Sequence, residues 1–504
     1  MFMPPYGGCN FPYKTNLNWI VCQIMELKEK TGSLEQAIKE FLEKFDSKLD
    51  QTVKNQLTEW LNDGTLNNTF TSIISSLYWV NVKDYGAKGD AETDDTEAIK
   101  RAQEVARSES KRLYFPKGTY VVATAFTSEI TSRQCNFELK SNEYWFGDGE
   151  QSIIKNNTPG YSDILFITGN RVTLENLTIN GNYYRTNANV SPDTKGISVW
   201  FRETKNCYIN NLKIVDTHDW ALRYTRCEYM FVTNYSMTMS GNQTNSDGFH
   251  CLNSSNLFFN NVAIDTYGDD GFAIESENEN NTNSCHDIFI NNLLVKHATR
   301  SLLIFRDRGK STQDKSSIYN VFIDGATLLN ATNPAGGIYI DSGGEIYNII
   351  IKAIVENSKT GAYISHMDGC SVHDIDIEML TTSSFNSFGA LIETSPVSIP
   401  DTNFFNNSYK VRGTVNGCKP GLINLKGVNH FVEIDVFNKS NDTPAPCYIQ
   451  GSGHNVIVKR IGNSKITYGG LGHTITGLSD RSKLSKASNI PNSNINVAQY
   501  TLLE

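Results

Sequence analysis

The chain has 504 residues, of which 39% are hydrophobic, so it is long enough for two or three domains and apolar enough to bury a sizeable core. Its formal net charge of −9 argues against a nucleic-acid partner, because phosphate-binding faces need clustered Lys and Arg. We find no apolar run of about 18 residues, and the first residues lack the charged and apolar segments of a signal peptide. We therefore expect neither a membrane span nor export by the usual route.

The spacing of the cysteines indicates whether the chain can form a disulfide framework or a metal site. Ten cysteines are scattered along the chain without a Cys-x-x-Cys pair. This spacing predicts buried free thiols rather than a disulfide framework or a metal cluster. Because His and Cys residues do not cluster at metal-ligand spacing either, we predict no cofactor. The Asp-rich bends in the middle of the chain leave a structural Ca²⁺ site as an alternative.

Residues 1–78 are predicted to form an N-terminal attachment region. From Ile20 to Phe45, apolar residues recur at alternating steps of four and three, which is the heptad pattern of a coiled coil. Beyond Phe45 the steps lengthen to four, so the apolar stripe drifts around the helix. The helix is expected to end at Asn62-Asp63-Gly64. The alternative to self-association is an amphipathic helix packed on its own chain.

The segment 79–135 holds the most specific pattern in the sequence: strand, glycine turn, helix and strands in quick succession. Gly86 and Gly89 permit positive φ angles at the turn. Asp94 and Asp95 stand at the start of the helix, so we interpret this acid pair as a helix cap rather than a catalytic pair.

This order resembles the N-terminal module of the pectate-lyase superfamily of right-handed parallel β-helices, as found in bacteriophage tailspikes and tail appendages. In that family the helix closes the open end of the β-helix. The resemblance implies a homotrimer, made in the cytoplasm of an infected bacterium, located in the virion tail or an appendage, and attached to phage tail or neck proteins through its N-terminal region.

Short apolar strands punctuated by Asn and Gly extend over residues 136–478, which we interpret as the β-helix itself. Asn residues at the corners predict stacked amide ladders. Residues 479–504 are interpreted as a C-terminal capping tail with a possible strand over 495–503. The fold class is therefore all-β: a pectin-lyase-like parallel β-helix behind an N-terminal α-helical coiled coil, in a trimer.

Two Asp-Gly sites flank a strand pattern near the middle of the chain, whose alternation predicts that Leu257, Phe259, Val262 and Ile264 face inward. Asp247 precedes Asp269 and Asp270 by about one coil, so the carboxylates should lie on adjacent coils about 4.8 Å apart. Mutual repulsion should raise one pKa and leave a proton donor beside an ionised base. The alternative is structural, because Asp-Gly is common at turns.

The motifs Asn245-Ser246-Asp247-Gly248 and Gly268-Asp269-Asp270-Gly271 resemble those of polygalacturonase-like glycoside hydrolases. The resemblance implies that Asp269 is the general acid and that Asp247 and Asp270 activate water, with inversion at the anomeric carbon. Adjacent strand residues point to opposite faces, so Asp269 and Asp270 can act together only if a turn or bulge lies there.

Two motifs of that family are missing. Thr299-Arg300-Ser301 replaces Gly-His-Gly, and Tyr339-Ile340-Asp341 replaces Arg-Ile-Lys. We therefore expect a glycan other than pectin, with Arg300 or Arg306 binding a carboxylate or phosphate.

Further candidates surround the acids. Glu275 is an alternative acid or a solvated face residue. His250 and His218 are more typical of hydrogen-bonded residues than of catalysts. Arg306 begins Arg306-Asp307-Arg308, which is either an ion-paired corner or the base of a lyase. Aromatic side chains that precede the acids are candidates for stacking on sugars, although some must be core; they are Tyr183, Tyr184, Trp200, Trp220 and Tyr224.

These patterns predict a tailspike or appendage that recognises and hydrolyses a host cell-surface glycan, either a capsular polysaccharide or a wall teichoic acid, by acid-base catalysis with paired aspartates. The alternatives are a non-catalytic receptor-binding appendage and a polysaccharide lyase. A secreted pectinase is disfavoured by the coiled-coil pattern and by the start of the sequence.

Overall fold

The computed structural model describes residues 78–160, 162–182, 196–240, 246–277, 284–306, 316–333, 336–366, 370–381, 392–395, 402–415, 423–438, 447–461, 466–477 and 484–486. The chain divides into two compact units, residues 1–80 and 81–504. The predicted coiled coil and the predicted strand over 495–503 lie outside the described residues. The described part holds no helix with the length and apolarity needed to cross a membrane.

An N-terminal module precedes the β-helix, in the predicted order of elements. Gly86 and Gly89 have φ angles of 99° and 62°, as expected for the turn. The helix α1 presents small and apolar residues to the interior, and Gln103 joins it to the first coil by donating to the Glu138 carbonyl at 3.0 Å. The elements are β1 (Trp79–Asn81), a 3-10 helix (Val82–Tyr85), β2 (Asp90–Asp94), α1 (Thr96–Ser108), β3 (Arg112–Phe115) and β4 (Gly118–Val122).

The acid pair at the start of α1 has a structural role. Asp94 accepts a hydrogen bond from the Thr96 backbone N–H at 3.0 Å. Asp95 occupies the N-cap position, but its carboxylate accepts from the backbone N–H groups of Lys88 and Gly89 instead, at 2.6 and 2.9 Å. The pair therefore joins the helix start to the glycine turn, which supports the structural interpretation.

The remaining described elements are strands, apart from a short 3-10 helix (Gly149–Gln151). They are β5 (Phe126–Thr127), β6 (Gln134–Leu139), β7 (Tyr144–Gly147), β8 (Ser152–Asn156), β9 (Asp163–Ile167), β10 (Thr173–Asn180), β11 (Val199–Arg202), β12 (Lys205–Val215), β13 (Leu222–Thr225), β14 (Glu228–Thr238), β15 (Phe249–Leu252), β16 (Ser255–Asp265), β17 (Asp270–Ser276), β18 (Cys285–Lys296), β19 (Arg300–Arg306), β20 (Ser317–Leu329), β21 (Ile338–Ser342), β22 (Glu345–Glu356), β23 (Ala362–His366), β24 (Ser371–Thr381), β25 (Ile392–Ser395), β26 (Phe404–Phe405), β27 (Ser408–Val415), β28 (Ile423–Leu425), β29 (Phe431–Asn438), β30 (Cys447–Ser452), β31 (Asn455–Arg460), β32 (Ile466–Leu471), β33 (Thr474–Thr476) and β34 (Leu484–Lys486).

These strands form a right-handed parallel β-helix, as predicted. Each coil in the middle of the chain contributes one short strand to one sheet and one long strand to the other. The register shows that coils differ in length, because Tyr208 lies opposite Phe231 and Phe231 lies opposite Phe258, at unequal intervals along the sequence. Strands stay aligned while the loops between them vary in length.

The long strands turn a corner at asparagines, where the predicted amide ladder is confirmed. Asn261 has a φ angle of 58°, which Asn tolerates better than most residues. Its side-chain amide donates to Asn234 at 3.1 Å, and Asn292 donates in turn to Asn261 at 2.7 Å. These bonds satisfy polar groups at the bends and fix the corner from one coil to the next.

The interior is a column of apolar side chains that supports the short-strand sheet. The four positions predicted to face inward on β16 are all buried, namely Leu257, Phe259, Val262 and Ile264. The cysteines that the structure describes are all free thiols, and all but Cys370 are buried, in agreement with the prediction from their spacing.

Candidate active site

Asp247 and Asp270 occupy equivalent places on consecutive coils. β15 pairs with β17 so that Phe249 lies opposite Phe272, which puts Asp247 level with Asp270 at the start of the two strands. The backbone confirms the alignment, because the Gly248 N–H donates to the Asp270 carbonyl at 2.9 Å. The predicted one-coil spacing is thus what brings the acids together.

The glycines that follow these aspartates are required by packing. A Cβ atom on Gly248 would lie 2.3 Å from Ile264 Cγ2, and one on Gly271 would lie 2.2 Å from Val295 Cγ1. Neither glycine has a positive φ angle, so a left-handed backbone is not the reason that glycine stands at these two positions. The chain approaches the core so closely here that only glycine fits.

Asp247, Asp269 and Asp270 form one cluster, in which an oxygen from each lies within 4.8 Å of the others. Asp269 lies in the bend before β17, and Asp270 is the first residue of that strand. The bend that the sequence argument required between these neighbours is therefore present. The side chain of Asp269 is 33% exposed, whereas Asp247 and Asp270 are only 3% and 2% exposed.

Arg300 neutralises part of this negative charge. It lies opposite Asp270 on the next coil. Its Nη2 atom donates to Asp270 at 2.8 Å and to Asp269 at 3.1 Å, while its Nε atom also donates to Asp270. Although burial alone would lower the pKa of Arg300, the carboxylates raise it. The prediction that Arg300 binds a glycan anion is thus not supported, because the protein's own acids occupy its guanidinium group.

Asp247 forms polar contacts both within its own coil and with the coil of Asp270. One of its oxygens accepts from the Asp270 backbone N–H at 3.1 Å, and the other lies 2.8 Å from Nδ1 of His250. Burial and the negative charge of Asp269 raise the pKa of Asp247 to about 7. Burial and Asp247 likewise raise the pKa of Asp270, although Arg300 opposes that rise.

Glu275 completes the acidic region, on the same strand as Asp270. Its carboxylate lies 3.7 Å from Nε2 of His250, so the imidazole stands between Glu275 and Asp247. Burial raises the pKa of Glu275 well above its ordinary value, and the charge of Asp247 adds to that rise. Glu275 and His250 therefore lie beside the cluster.

Trp220 and Arg223 extend the site towards earlier coils. Trp220 stacks on the His250 ring, with centroids 4.4 Å apart. The Arg223 guanidinium lies 4.1 Å from the Trp220 ring centroid and 5.4 Å from that of Trp200. Trp220 thus connects the acids to a cationic side chain that the sequence argument did not select.

Three residues predicted to bind substrate are almost completely buried. Tyr224 is completely buried and packs against Phe249, since its position on β13 faces the core. Arg306 is 1% exposed and donates from Nε to the Ser316 carbonyl at 2.8 Å. Trp200 is 5% exposed and belongs to a hydrophobic cluster with Phe166. The predicted contact of Tyr224 and Arg306 with a glycan is therefore wrong, whereas that of Trp200, which lies opposite Arg223, stays a prediction.

On the far side of Arg300, Tyr339 and Asp341 stand at the positions where the family carries basic residues, and Tyr363 lies beyond them. Tyr339 lies 5.8 Å from the Arg300 guanidinium and donates a hydrogen bond to Asp341 at 3.1 Å. Tyr363 follows one coil later, with its ring centroid 5.5 Å from that of Tyr339. Tyr183, Tyr184, Asn245, Asp307 and Arg308 lie outside the described residues.

The acid cluster is not suited to a calcium ion. Three carboxylates approach each other closely enough to hold a metal. However, Arg300 already donates to two of them and supplies the compensating positive charge. Ca²⁺ takes six to eight oxygen ligands, and a guanidinium group competes for the same carboxylate oxygens.

Comparison with known proteins shows which proteins this chain resembles. Residues 79–305 match the family described as rhamnogalacturonase A/epimerase, pectate lyase-like. A preneck appendage protein of Bacillus phage PZA is 22% identical over 340 residues, covering 61% of this chain and 36% of that protein. A polygalacturonase from Persea americana is 26% identical over 316 residues, covering 58% of this chain and 63% of that protein.

Among solved structures, a tailspike protein of E. coli bacteriophage HK620, in complex with a pentasaccharide, matches with a TM-score of 0.52 at 11% identity, covering 80% of this chain and 81% of that one. The resemblance to pectate-lyase-like phage proteins is thus confirmed. The chain spans only about a third of the length of the phage relatives that it matches, 36% in each of two cases.

Proposed function

We propose that this chain, whose residues 79–305 are pectate-lyase-like, is a phage tail or neck appendage that binds and hydrolyses a glycan of the host cell surface. The observation that carries the proposal is the cluster of Asp247, Asp269 and Asp270 on adjacent coils, with one buried acid whose pKa is about 7. A neighbouring pair of proton donor and ionised base is what glycoside hydrolysis requires.

In the proposed reaction, the proton that Asp247 holds near neutral pH passes to Asp269 within the cluster. Asp269 donates it to the glycosidic oxygen while the bond to the leaving sugar breaks. Of the three acids, its side chain is the most exposed, so it can reach a polymer at the surface. Water attacks the anomeric carbon from the other side and gives its proton to Asp247 or Asp270. Arg300 holds Asp270 in place and stabilises its ionised form.

The surroundings of the acids argue against pectin as the substrate. Tyr339 and Asp341 stand where polygalacturonase-like enzymes carry basic residues, and Arg300 is already bonded to aspartates. A capsular polysaccharide or a wall teichoic acid fits the appendage relatives better than a plant polymer does.

A non-catalytic receptor-binding appendage is the second candidate, and one observation favours it. Arg300 donates hydrogen bonds to Asp269 and Asp270, and the same bonds would stabilise a corner that has only a structural role. A lyase is less well supported, because Arg306, the start of the segment considered for its base, is buried.

The test is to incubate the protein with capsular polysaccharide and wall teichoic acid from candidate hosts, and to measure binding and newly formed reducing ends separately. We expect reducing ends to appear with at least one polymer that the protein binds. Binding without any release would contradict the hydrolase and favour the receptor-binding appendage.

We further propose that the chain forms a homotrimer that attaches to the virion through residues 1–78. The heptad pattern between Ile20 and Phe45 supports self-association. A column of stacked rings on the long-strand sheet supports it as well: Tyr208, Phe258 and Phe289 are 47%, 36% and 40% exposed. The column comprises Tyr208, Phe231, Phe258, Phe289 and Phe322, at centroid spacings of 5.0, 5.1, 5.3 and 5.2 Å.

A second copy of the chain fits this column better than a sugar does. Rings stacked on each other present their edges to solvent, whereas sugars pack on ring faces. On four of these strands, the residue two positions after the stacked ring is uncharged, as is typical of the core of a protein interface. These four residues are Asn210, Thr233, Asn260 and Asn291.

Sedimentation equilibrium of the full chain is expected to give three times the chain mass of 56.3 kDa. The double variant Phe258→Lys, Phe289→Lys should lower the thermal stability of the trimer, because it places charges in the column. Tyr448→Lys is the matched control, since Tyr448 is 36% exposed and not part of the column. A monomer in sedimentation, or equal effects of both changes, would contradict the proposed interface.

A further inference from the structure

We infer that Arg223, together with Trp220, forms a binding subsite for an anionic group of the glycan, either a sugar carboxylate or a phosphate. The inference rests on the proposed glycan binding and names the substrate class: an acidic polymer. It assigns the recognition of negative charge to a residue on the opposite side of the acids from Arg300.

The register places Arg223 directly beside the acid cluster. Arg223 lies opposite His250 on the neighbouring coil, at a strand spacing of about 4.8 Å. His250 is within 2.8 Å of Asp247, and Trp220 packs on both His250 and Arg223. A polymer crossing the strands at the acids would therefore meet Arg223 one coil away, with no further element between them in the described sheet.

Arg223 is a positively charged side chain with a buried hydrogen-bond donor that is not used. In the part of the chain that the structure describes, no carboxylate forms an ion pair with it, and its Nε atom is buried without a hydrogen bond. Burial lowers the pKa of Arg223 to about 10, so the side chain is desolvated but still charged near neutral pH. Buried charges are ordinarily paired, because their desolvation is costly.

Other arginines nearby show the contrast. Arg133 donates to Asp163 through two nitrogen atoms, at 2.9 and 2.7 Å. Arg226, on the same coil as Arg223, pairs with Glu203. Arg223 instead contacts the Trp220 ring at 4.1 Å, an arrangement that holds the guanidinium in one orientation. The Arg223 fork is therefore positioned in advance to bind an oxyanion.

The test uses Arg223→Met, with Arg226→Met as the matched control, in the full chain that also carries Asp269→Asn so that no polymer is cleaved. The probes are a uronate-containing capsular polysaccharide, the same polymer after reduction of its carboxyl groups, a poly(glycerol phosphate) teichoic acid, and neutral dextran. Dissociation constants are measured for each. The carboxyl-reduced polymer and the teichoic acid separate a carboxylate from a phosphate as the recognised group.

We expect Arg223→Met to raise the dissociation constant about tenfold or more for an acidic polymer, and to leave the constant for the neutral or reduced polymer unchanged. Its midpoint of thermal unfolding should stay the same or rise, because an unpaired desolvated cation is removed. Arg226→Met should not change polymer binding.

Three outcomes would overturn the inference. If Arg223→Met destabilises the fold while acidic polymers still bind as in the parent protein, the arginine is structural. If neither variant nor parent binds any of the acidic polymers although another glycan is bound, the proposed function survives and the acidic subsite does not. If the parent binds no glycan at all, both the proposed function and the proposed subsite are contradicted.

Discussion

Asp269→Asn is expected to lower the turnover number for glycan hydrolysis by a factor of about 10³, within the range that general acid catalysis contributes. Asparagine keeps the shape of the side chain and leaves an oxygen for the contact with Arg300, which is 3.1 Å in the native protein. It removes the proton that the leaving sugar needs. Binding of the polymer should change less than about threefold, because an amide retains the polar surface.

The measurement is the initial rate of reducing-end formation, set beside the dissociation constant for the same polymer. Asp265→Asn is a matched control, because Asp265 has a side-chain exposure of 36% but pairs with His297 away from the cluster. Equal rates for the wild type and Asp269→Asn would remove Asp269 from the reaction. Equal losses in both variants would show that the effect is not specific to the cluster.

Asp247→Asn is expected to stabilise the fold at pH 8 and to lose that advantage at pH 4. The pKa of Asp247 is about 7 in the folded chain, compared with about 3.9 in an unfolded one. Between these values the folded chain binds the extra proton, so the free energy of unfolding of the wild type falls as pH rises. Asparagine has no proton to lose, and the advantage above pH 7 should be on the order of 4 kcal/mol.

Several charged groups face Asp247 and contribute to this titration: Asp269, Asp270, His250, Glu275 and Arg300. The measurement is urea unfolding of wild type and variant at pH 4, 6 and 8. Asp287→Asn is a control for which the change in stability with pH should have the opposite sign. Despite its partial burial, hydrogen bonds from Asn320 and His286 lower the pKa of Asp287. Replacing Asp287 should therefore cost stability as pH rises. A pH-independent effect of Asp247→Asn would contradict the raised pKa.

A cluster whose charges oppose folding is better explained by function than by structure. Three carboxylates and Glu275 are gathered near one another, and burial raises the pKa of Asp247, Asp270 and Glu275. Structural corners elsewhere in the protein use neutral amides, as at Asn261 and Asn292. The contrast is what a site selected for proton transfer would show.

The coil spacing and the acids could be predicted from the sequence because both depend on short, local patterns. Strand alternation identified the inward side chains of β16, and the one-coil spacing of the Asp-Gly pairs placed Asp247 beside Asp270. The N-terminal module was predictable for the same reason. Its glycine turn and helix start are specified by neighbouring residues, and Gly86 and Gly89 adopt the expected left-handed backbone.

The other partners of the acids could not be predicted, because loops of unequal length separate the strands. The coil that leads from Asp270 to its partner Arg300 is longer than the coil that leads from Arg223 to its neighbour His250. Closeness in sequence was a poor guide to exposure: Tyr224 is next to Arg223, yet it points into the core. A ladder alignment anchored on the Asn corners would have found Arg223.

The reason for the glycines of the Asp-Gly pairs could not be determined from the sequence. Turn chemistry explained them equally well from the sequence, since both explanations require a small residue. Only the distances to Ile264 and Val295 show that Gly248 and Gly271 are confined by the core. The same packing directs the aspartates before them to the outside of the sheet, where chemistry on a polymer is possible.

The mass of the products released from a bound polysaccharide in ¹⁸O-labelled water tests the central claim most directly. Hydrolysis predicts that each cleaved bond takes up one water and leaves one labelled oxygen, at the new reducing end, and that Asp269→Asn releases few or no such ends. Products lighter by one water than hydrolysis products, with absorbance in the near ultraviolet, would show elimination by a lyase. A polymer that is bound and recovered intact would contradict catalysis altogether.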